Sequence, residues 1–251
     1  MRTLSRFFLI LIVARGATAQ SLTQRILGSD GVVDVVYPSR PETCGDGRSY
    51  VRGVFGSRAT TYEYDSRDAR GLCVHGPAHA AVRVMNGEIT RIRLFVGPRD
   101  STLAARTIRA TPSETAEWLE HIIESERSPL ASQALLPLMV VDGVTPWQAL
   151  LNVARSDQRP VDLRRNVLMW LSSAIDARLG LDGDDESDDA QVRAQAVYTI
   201  SQRNRSESVP TLMELARSSP HSEVRKAAIY WLGQTGDPRA VGVYAELLGL
   251  R

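Results

Sequence analysis

The sequence predicts an α+β protein in which a small antiparallel β domain with one disulfide is followed by an α-helical solenoid of about four helix pairs. Short β-branched stretches, separated by loops rich in Gly and Pro, lie between residues 31 and 98, and such stretches are typical of strands. Beyond residue 112 the apolar residues recur at helical spacing, and this pattern repeats about every 31 residues. A repeat of that length with two helices per unit indicates stacked helix pairs.

The N-terminus predicts a signal peptide over residues 1–19. Residues 1–6 carry two Arg and no acid, residues 7–14 are apolar, and the small residues 17–19 suit cleavage before Gln20. The apolar run is too short to cross a bilayer, which takes about 20 residues, and the alternative is a buried N-terminal helix. We expect export to a periplasm or beyond, with residues 20–30 as a mobile leader of the mature chain and no membrane span.

The charge balance argues against a nucleic-acid partner. The chain has 30 Lys and Arg residues and 29 Asp and Glu residues. Removal of residues 1–19 takes away three Arg and no acid, which leaves 27 basic residues (30 − 3) and a formal charge of −2 (27 − 29). Proteins that bind nucleic acid normally concentrate basic residues on one face, so no nucleic acid is expected among the partners.

The two cysteines, Cys44 and Cys73, predict one disulfide. In an oxidising compartment, two cysteines in a small domain usually pair. Two free thiols are one alternative. A zinc site that includes His75 and His79 is another, although a structural zinc site takes four ligands, usually at tighter spacing.

In the β domain, over residues 31–98, strands are predicted at 31–37, 49–55 and 60–64, and a hairpin is predicted around Asn86 and Gly87. Asn-Gly by default forms a two-residue turn, but that register would place Val and Arg side chains on the same face. A three-residue loop at 85–87 pairs residue 84 with 88 and residue 82 with 90, and it makes one face apolar. Because burial of one face determines the register, we expect the three-residue loop and then a linker over residues 99–111. The expected inner face carries Ala80, Val82, Val84, Thr90, Ile92, Leu94 and Val96.

The helical part, residues 112–251, contains predicted units at 129–157, 160–187, 188–219 and 220–251. The second helix of unit 160–187 is degenerate and runs into an acidic stretch. We expect the Arg of each opening triplet to form a column in which it bonds a carboxylate or carbonyl of the neighbouring unit; the alternative is a column that binds a ligand. The triplets are Asp162-Leu163-Arg164, Gln191-Val192-Arg193 and Glu223-Val224-Arg225.

The acidic stretch from Asp182 to Asp189 has two interpretations. Calcium takes six to eight oxygen ligands, and weak extracellular sites exist, but the stretch lacks the ligand spacing of an EF-hand. A charged loop that caps the next helix through Asp188 or Asp189 is the preferred interpretation. Calcium binding stays open.

Two segments of the last unit carry a family resemblance. Residues 222–234 read SEVRKAAIYWLGQ and residues 236–241 read GDPRAV. This motif resembles the short bacterial repeats of the HEAT-repeat family, which are similar to those of the phycobilin lyases. The resemblance covers about half of the chain and implies a helical solenoid that contacts other proteins. No cofactor residues of the lyases can be matched here, and residues 31–98 resemble no family that we recognise.

The catalytic motifs that we searched for are absent from the sequence. It has no G-x-S-x-G, no H-E-x-x-H, no phosphate-binding G-x-x-x-x-G-K and no C-x-x-C. We therefore expect no enzyme activity and no cofactor. The alternative is an enzyme or enzyme subunit with its site in the N-terminal β domain, where Cys44, Asp46, Arg48 and His75 could converge. A structural envelope protein without a specific ligand is the third class.

The predicted binding surface follows from the HEAT resemblance, in which second helices line the concave side of the solenoid. Aligning these helices by offsets of 62 and 32 residues places Asn152, Glu214 and Glu246 in one column. Thr211 and Val243 then fall in the next column, together with Ala149. Such a shallow and weakly acidic surface suits a protein or peptide better than a small molecule, which prefers a deep pocket. The identity of the partner and the oligomeric state do not follow from the sequence.

Overall fold

The computed structural model describes residues 20–28, 30–48, 50–55, 58–63, 73–98, 106–125, 129–181 and 187–250. The predicted signal peptide and most of the acidic stretch therefore lie outside the described residues. Within the described part of the chain, no helix is long and apolar enough to cross a membrane.

The strands form two four-stranded sheets. The main sheet consists of β1 (Gly31–Tyr37), β6 (Ala78–Met85), β7 (Glu88–Val96) and β8 (Arg106–Arg109). Its strand order is β7-β6-β1-β8, in which β1 pairs antiparallel with β6 and parallel with β8. The second sheet has the order β4-β3-β2-β5 and consists of β2 (Cys44–Gly45), β3 (Tyr50–Phe55), β4 (Arg58–Glu63) and β5 (Val74–His75).

Two ranges differ from the sequence-based expectation. Strand β8 lies inside the range 99–111, which was expected to be a linker, and it extends the main sheet. Helix α1 (Leu22–Leu27) lies inside the expected leader. A capping box between Ser21 and Gln24 closes its N-terminus, and Ile26 is fully buried. This segment is ordered because its apolar side chains join the core.

The hairpin between β6 and β7 combines a two-residue turn with a bulge. Asn86 and Gly87 both have positive φ, 54° and 75°, as a type I′ turn requires. Met85 pairs with Glu88, so the expected loop at 85–87, with its pairing of 84 with 88 and 82 with 90, is wrong. A bulge that leaves Thr90 unpaired then shifts the register, and Val82 pairs with Ile92. The bulge therefore returns the apolar residues to the inner face, and Thr90 is exposed instead of buried.

Eight further helices follow the sheets within the described residues. Their N-termini are closed by side chains at several points; for example, the Asn204 side chain accepts a hydrogen bond from the Glu207 amide. The helices are α2 (Pro112–Ser125), α3 (Pro129–Met139), α4 (Trp147–Arg155), α5 (Val161–Leu179), α6 (Asp188–Ser201), α7 (Arg205–Ser218), α8 (Ser222–Gln234) and α9 (Ala240–Leu247).

The main sheet and the first helices share one core. The Tyr37 hydroxyl on β1 donates to the carbonyl of Pro137 on α3 at 3.0 Å. The Gln133 side-chain oxygen on α3 accepts from the backbone amide of Ile92 on β7 at 2.8 Å. The Arg40 guanidinium, in the loop after β1, donates to two carbonyl oxygens at the end of α3 and just beyond it. The β part is thus anchored to the helical part through buried side chains and backbone groups.

Helices α6 and α8 pack side by side in the same direction. Near their starts, Arg193 Nε donates to Glu223 Oε1 at 2.5 Å. Further along, the rings of Tyr198 and Trp231 lie 4.9 Å apart between centroids. Contacts at matching heights along both helices indicate parallel packing, as expected for the first helices of two stacked repeat units.

Helix α5 covers the other side of α8 and runs in the opposite direction. Arg165, near the start of α5, donates through Nε to the carbonyl of Gln234 at the end of α8, at 2.9 Å. Further along α5, Ser172 reaches Ile229 in the middle of α8. Helix α8 therefore lies between α5 and α6, and the units do not stack in sequence order. The expected solenoid of four helix pairs is not confirmed, because the described residues of unit 160–187 supply one long helix of 19 residues.

Candidate functional site

Helix α7, the second helix of unit 188–219, presents one exposed stripe of side chains. Thr211, Glu214 and Arg217 follow at spacings of three residues and are all exposed, so they lie along one side of the helix. On the opposite side Leu212 and Ala216 are fully buried. This division between a buried and an exposed side results from the amphipathic pattern of the helix.

An ion pair joins α7 to its neighbour α9. Arg217 Nε donates to Glu246 Oε2 at 2.8 Å, and the Glu246 side chain remains 58% exposed. The Glu214 carboxylate, one repeat earlier, makes no ion pair with any residue in the described part of the chain.

Of the two remaining residues of the predicted binding surface, one is exposed and the other is buried. Asn152, on α4, is exposed and accepts a hydrogen bond from the Gln148 amide at 3.2 Å. Val243, on α9, is 0% exposed and belongs to the core. The surface of second helices therefore includes Asn152, Thr211, Glu214 and Glu246, whereas Val243 does not face solvent.

The arginines of the triplets contact their surroundings in different ways. Arg193 bonds Glu223 of the next unit, as the repeat pattern predicts. The pKa of Glu223 is lowered, first by its own backbone amide and then by the Arg193 side chain. Arg225 Nη1 donates to the carbonyl of Ser219 at 2.7 Å, and the buried Arg164 lies 3.6 Å from Asp157. These arginines hold helices together.

In the β domain, Cys44 and Cys73 form the predicted disulfide, with their Cα atoms 5.2 Å apart. Asp46 Oδ1 accepts hydrogen bonds from the backbone amides of Arg48 and Tyr50 at 2.8 and 3.0 Å, so this carboxylate stabilises a turn. His75 Nδ1 lies 3.0 Å from the carbonyl of Thr43. These residues gather around β2, but both the cysteine and the carboxylate already have structural roles.

A cleft of about 610 Å³ lies at the end of β1 and is lined by His75, Arg40 and Arg109 together with apolar residues. The Arg40 guanidinium is held by two backbone carbonyls. Asp46, Arg48 and the two cysteines do not line this cleft. Of the four residues that could converge in a catalytic site, the cleft contains only His75.

The main sheet holds a buried ionisable pair that the sequence pattern did not predict. His79 Nδ1 lies 2.9 Å from Asp34 Oδ2, and the two residues are 9% and 2% exposed. The signal was an Asp in the middle of the otherwise apolar strand β1. Within the described part of the chain, no cluster of three or more His, Cys, Asp or Glu residues could hold a metal ion.

Comparison with known families identifies the last part of the chain. Residues 184–249 match the family of HEAT repeats. This range contains α6, α7, α8 and α9, so a HEAT-repeat segment is present in part of the chain, and the N-terminal region is not recognised. Searches of the curated proteins and of the solved structures found no match.

Proposed function

From the HEAT repeats at residues 184–249, we propose that this protein is an exported interaction scaffold that binds another protein or a peptide. The partner contacts the exposed side of the second helices α7 and α9, the concave side of the repeats, with α4 at its edge. HEAT repeats generally mediate contacts between proteins. The proposal includes no cofactor, no nucleic acid and no catalytic step.

The observation that carries this proposal is the exposed stripe on α7 beside the ion pair with α9. The stripe is polar, with an unpaired carboxylate at Glu214 and a hydroxyl at Thr211, and it borders the Arg217–Glu246 pair. A partner that supplies a basic group opposite Glu214 would match its charge, and charge complementarity of this kind supports specificity and fast association.

Export is supported by the disulfide, which is compatible with an oxidising compartment. Cleavage before Gln20 is the part of the proposal that can be measured directly. The intact mass of the protein purified from its native envelope or medium should correspond to a chain that begins at Gln20. A mass that includes residues 1–19 would contradict export by this signal.

The binding surface is tested by capture from an envelope extract on immobilised full-length mature protein. The test variant is Thr211→Arg with Glu214→Arg, because neither side chain makes an ion pair that the change would break. The control is Arg83→Glu with Arg91→Glu, two exposed residues that pair across β6 and β7. Both variants should keep the stability within about 1 kcal/mol, as surface changes do.

The expected result is that the α7 variant loses a partner that the sheet variant retains. Retention by the α7 variant and loss by the sheet variant would contradict the proposal and would place binding on the β part. Equal capture by the wild type and both variants would also contradict it.

An enzyme with its site in the N-terminal β domain is the second candidate, and the cleft with His75, Arg40 and Arg109 is the observation in its favour. Deleting this part would expose the shared core, so point variants are the better test. If an activity is found, His75→Ala and Arg109→Gln should abolish it while leaving the thermal unfolding unchanged. An activity that survives both variants would contradict this candidate.

A further inference from the structure

Equivalent positions of the two HEAT units differ sharply in exposure. An offset of 32 residues (224 − 192) relates α8 to α6. On α8, Val224 is 8% exposed and Ala228 is fully buried. Their equivalents on α6 are Val192, which is 69% exposed, and Ala196, which is also exposed. The same side of the repeat is thus covered in one unit and open in the other.

The neighbouring unit accounts for the covered side of α8. Helix α6 contacts α8 through Arg193 and Tyr198, and α7 packs against α8 as well. Helix α6 itself lies at the outer end of the row α5, α8, α6, and among the described elements it packs mainly against α7 and α8. Its outer side therefore lacks the layer that its partner unit has.

The outer side of α6 carries exposed side chains that are mostly uncharged. Asp189, Val192, Ala196, Thr199 and Arg203, here named the α6 stripe, follow at spacings of three and four residues and are all exposed. The first four lie on α6 (Asp188–Ser201), where residues so spaced lie along one side of the helix. Arg203 follows two residues beyond the helix end, in a turn whose Arg203 amide donates to the Ile200 carbonyl at 3.1 Å. Charge occurs only at the two ends, an acid at the start and a base at the end. Among the described side chains, the exposed ones beside the stripe are also uncharged, namely Gln191, Gln195, Tyr198 and Gln202, and the half-exposed Arg193 is paired with Glu223.

We infer that the α6 stripe is a contact between two copies of this chain, in which the two α6 helices pack antiparallel about a two-fold axis near Ala196. Asp189 lies seven residues before this position and Arg203 seven residues after it. An antiparallel arrangement therefore places Asp189 of each copy opposite Arg203 of the other. At the centre Ala196 meets its symmetry mate, and Val192 of each copy lies beside Thr199 of the other.

The pattern favours a second copy over an unrelated partner. In a two-fold contact the same patch occurs on both sides, so it must be complementary to itself. Like charges at the centre would repel each other, and the stripe has none there. Opposite charges at the two ends form two reciprocal pairs. The contact spans 14 residues, about 21 Å at 1.5 Å per residue, which is short for a permanent interface, so a weak and concentration-dependent dimer is expected.

Sedimentation equilibrium of the full-length mature protein tests the inference. It is measured at about 1 to 100 µM, because the dissociation constant of a dimer with a small interface is expected in this range. The wild type should shift from monomer to dimer across this range. Val192→Arg should weaken the dimer at least about tenfold, because it buries a charge without a partner beside Thr199 of the other copy. Met85→Arg is the matched control, since Met85 is an exposed apolar residue (51%) on the hairpin, and it should leave the dimer unchanged.

A charge exchange tests the orientation of the helices. Asp189→Arg alone and Arg203→Asp alone should each weaken the dimer, and the double variant should restore it to within about threefold of the wild type, because the reciprocal pairs form again. A monomer at every concentration would overturn the inference, as would a dimer that Val192→Arg leaves intact or a double variant that restores nothing. Because Glu214→Arg should not affect dimerisation, this test is independent of the proposed binding surface.

Discussion

Replacing Tyr244 with Phe tests the junction at which α5, α8 and α9 meet. The Tyr244 side chain on α9 is fully buried, and its hydroxyl donates to the carbonyl of Ile229 on α8 at 2.6 Å. The same hydroxyl lies 2.9 Å from Ser172 Oγ on α5. Burial raises the pKa of Tyr244 above its usual range, so the hydroxyl stays protonated and can donate. One hydroxyl thus links three helices.

The expected cost follows from these contacts. A net hydrogen bond inside a protein contributes about 0.5–1.5 kcal/mol, and a buried group left unpaired costs more. Tyr244→Phe should therefore lower the free energy of unfolding by about 1–2 kcal/mol, and Ser172→Ala by about 1 kcal/mol. Because the two hydroxyls share a hydrogen bond, the double variant should lose about 0.5–1 kcal/mol less than the sum of the two single losses.

The free energy of unfolding of the three variants is measured by urea denaturation, which is monitored by both circular dichroism and tryptophan fluorescence. Tyr230→Phe is the control, because its ring is 36% exposed and lies on the same helix unit. It should change the free energy of unfolding by less than about 0.5 kcal/mol. Additive losses from Ser172→Ala and Tyr244→Phe would refute the contact between α5 and α9.

Three further predictions concern other parts of the molecule. Cys44→Ala with Cys73→Ala should cost about 3–4 kcal/mol under non-reducing conditions, because the bond closes a loop with a sequence separation of 29; urea unfolding measures this loss. Gly45→Ala should destabilise the junction of the two sheets by at least about 1–3 kcal/mol, since the added Cβ would stand 2.5 and 2.6 Å from two backbone carbonyl oxygens; thermal unfolding should show it. Hydrogen bonds from Arg239 lower the pKa of Asp237 in the folded protein. The ionised Asp237 carboxylate therefore stabilises the fold above the unfolded-state pKa of about 3.9, and this stabilisation is lost as the pH falls through the lower pKa of the folded state. Asp237→Asn should therefore destabilise at pH 7 and have little further effect in strong acid.

The hairpin shows where reasoning from pattern succeeded and where it failed. Alternation predicted the buried face correctly at Ile92, Leu94 and Val96. It failed at the turn, because a three-residue loop was expected to keep the pairing regular. The chain instead keeps the two-residue Asn-Gly turn and restores the pairing of the apolar residues with a bulge. A bulge has no marked sequence signal here, since Thr90 suits a strand as well as it suits an unpaired position.

The candidate surface was only partly predictable. The repeat offset correctly placed Thr211, Glu214 and Glu246 on exposed helix surfaces. It also placed Val243 there, although that residue is buried. An offset transfers the position along the helix, but exposure depends on which neighbour packs against each side, and α9 has neighbours that α7 lacks.

The sequence by itself determined the local features of this protein: the helical repeats, the cysteine pair and the apolar sides of the helices. Each of these depends on spacing along the chain or on the chemistry of a few residues. Only the tertiary structure decided that α8 lies between α5 and α6, that β8 completes the main sheet and that the outer side of α6 is open. The physical reason is that periodicity marks a side that must be buried or can be exposed, whereas the element that covers it is selected by packing between segments distant in sequence.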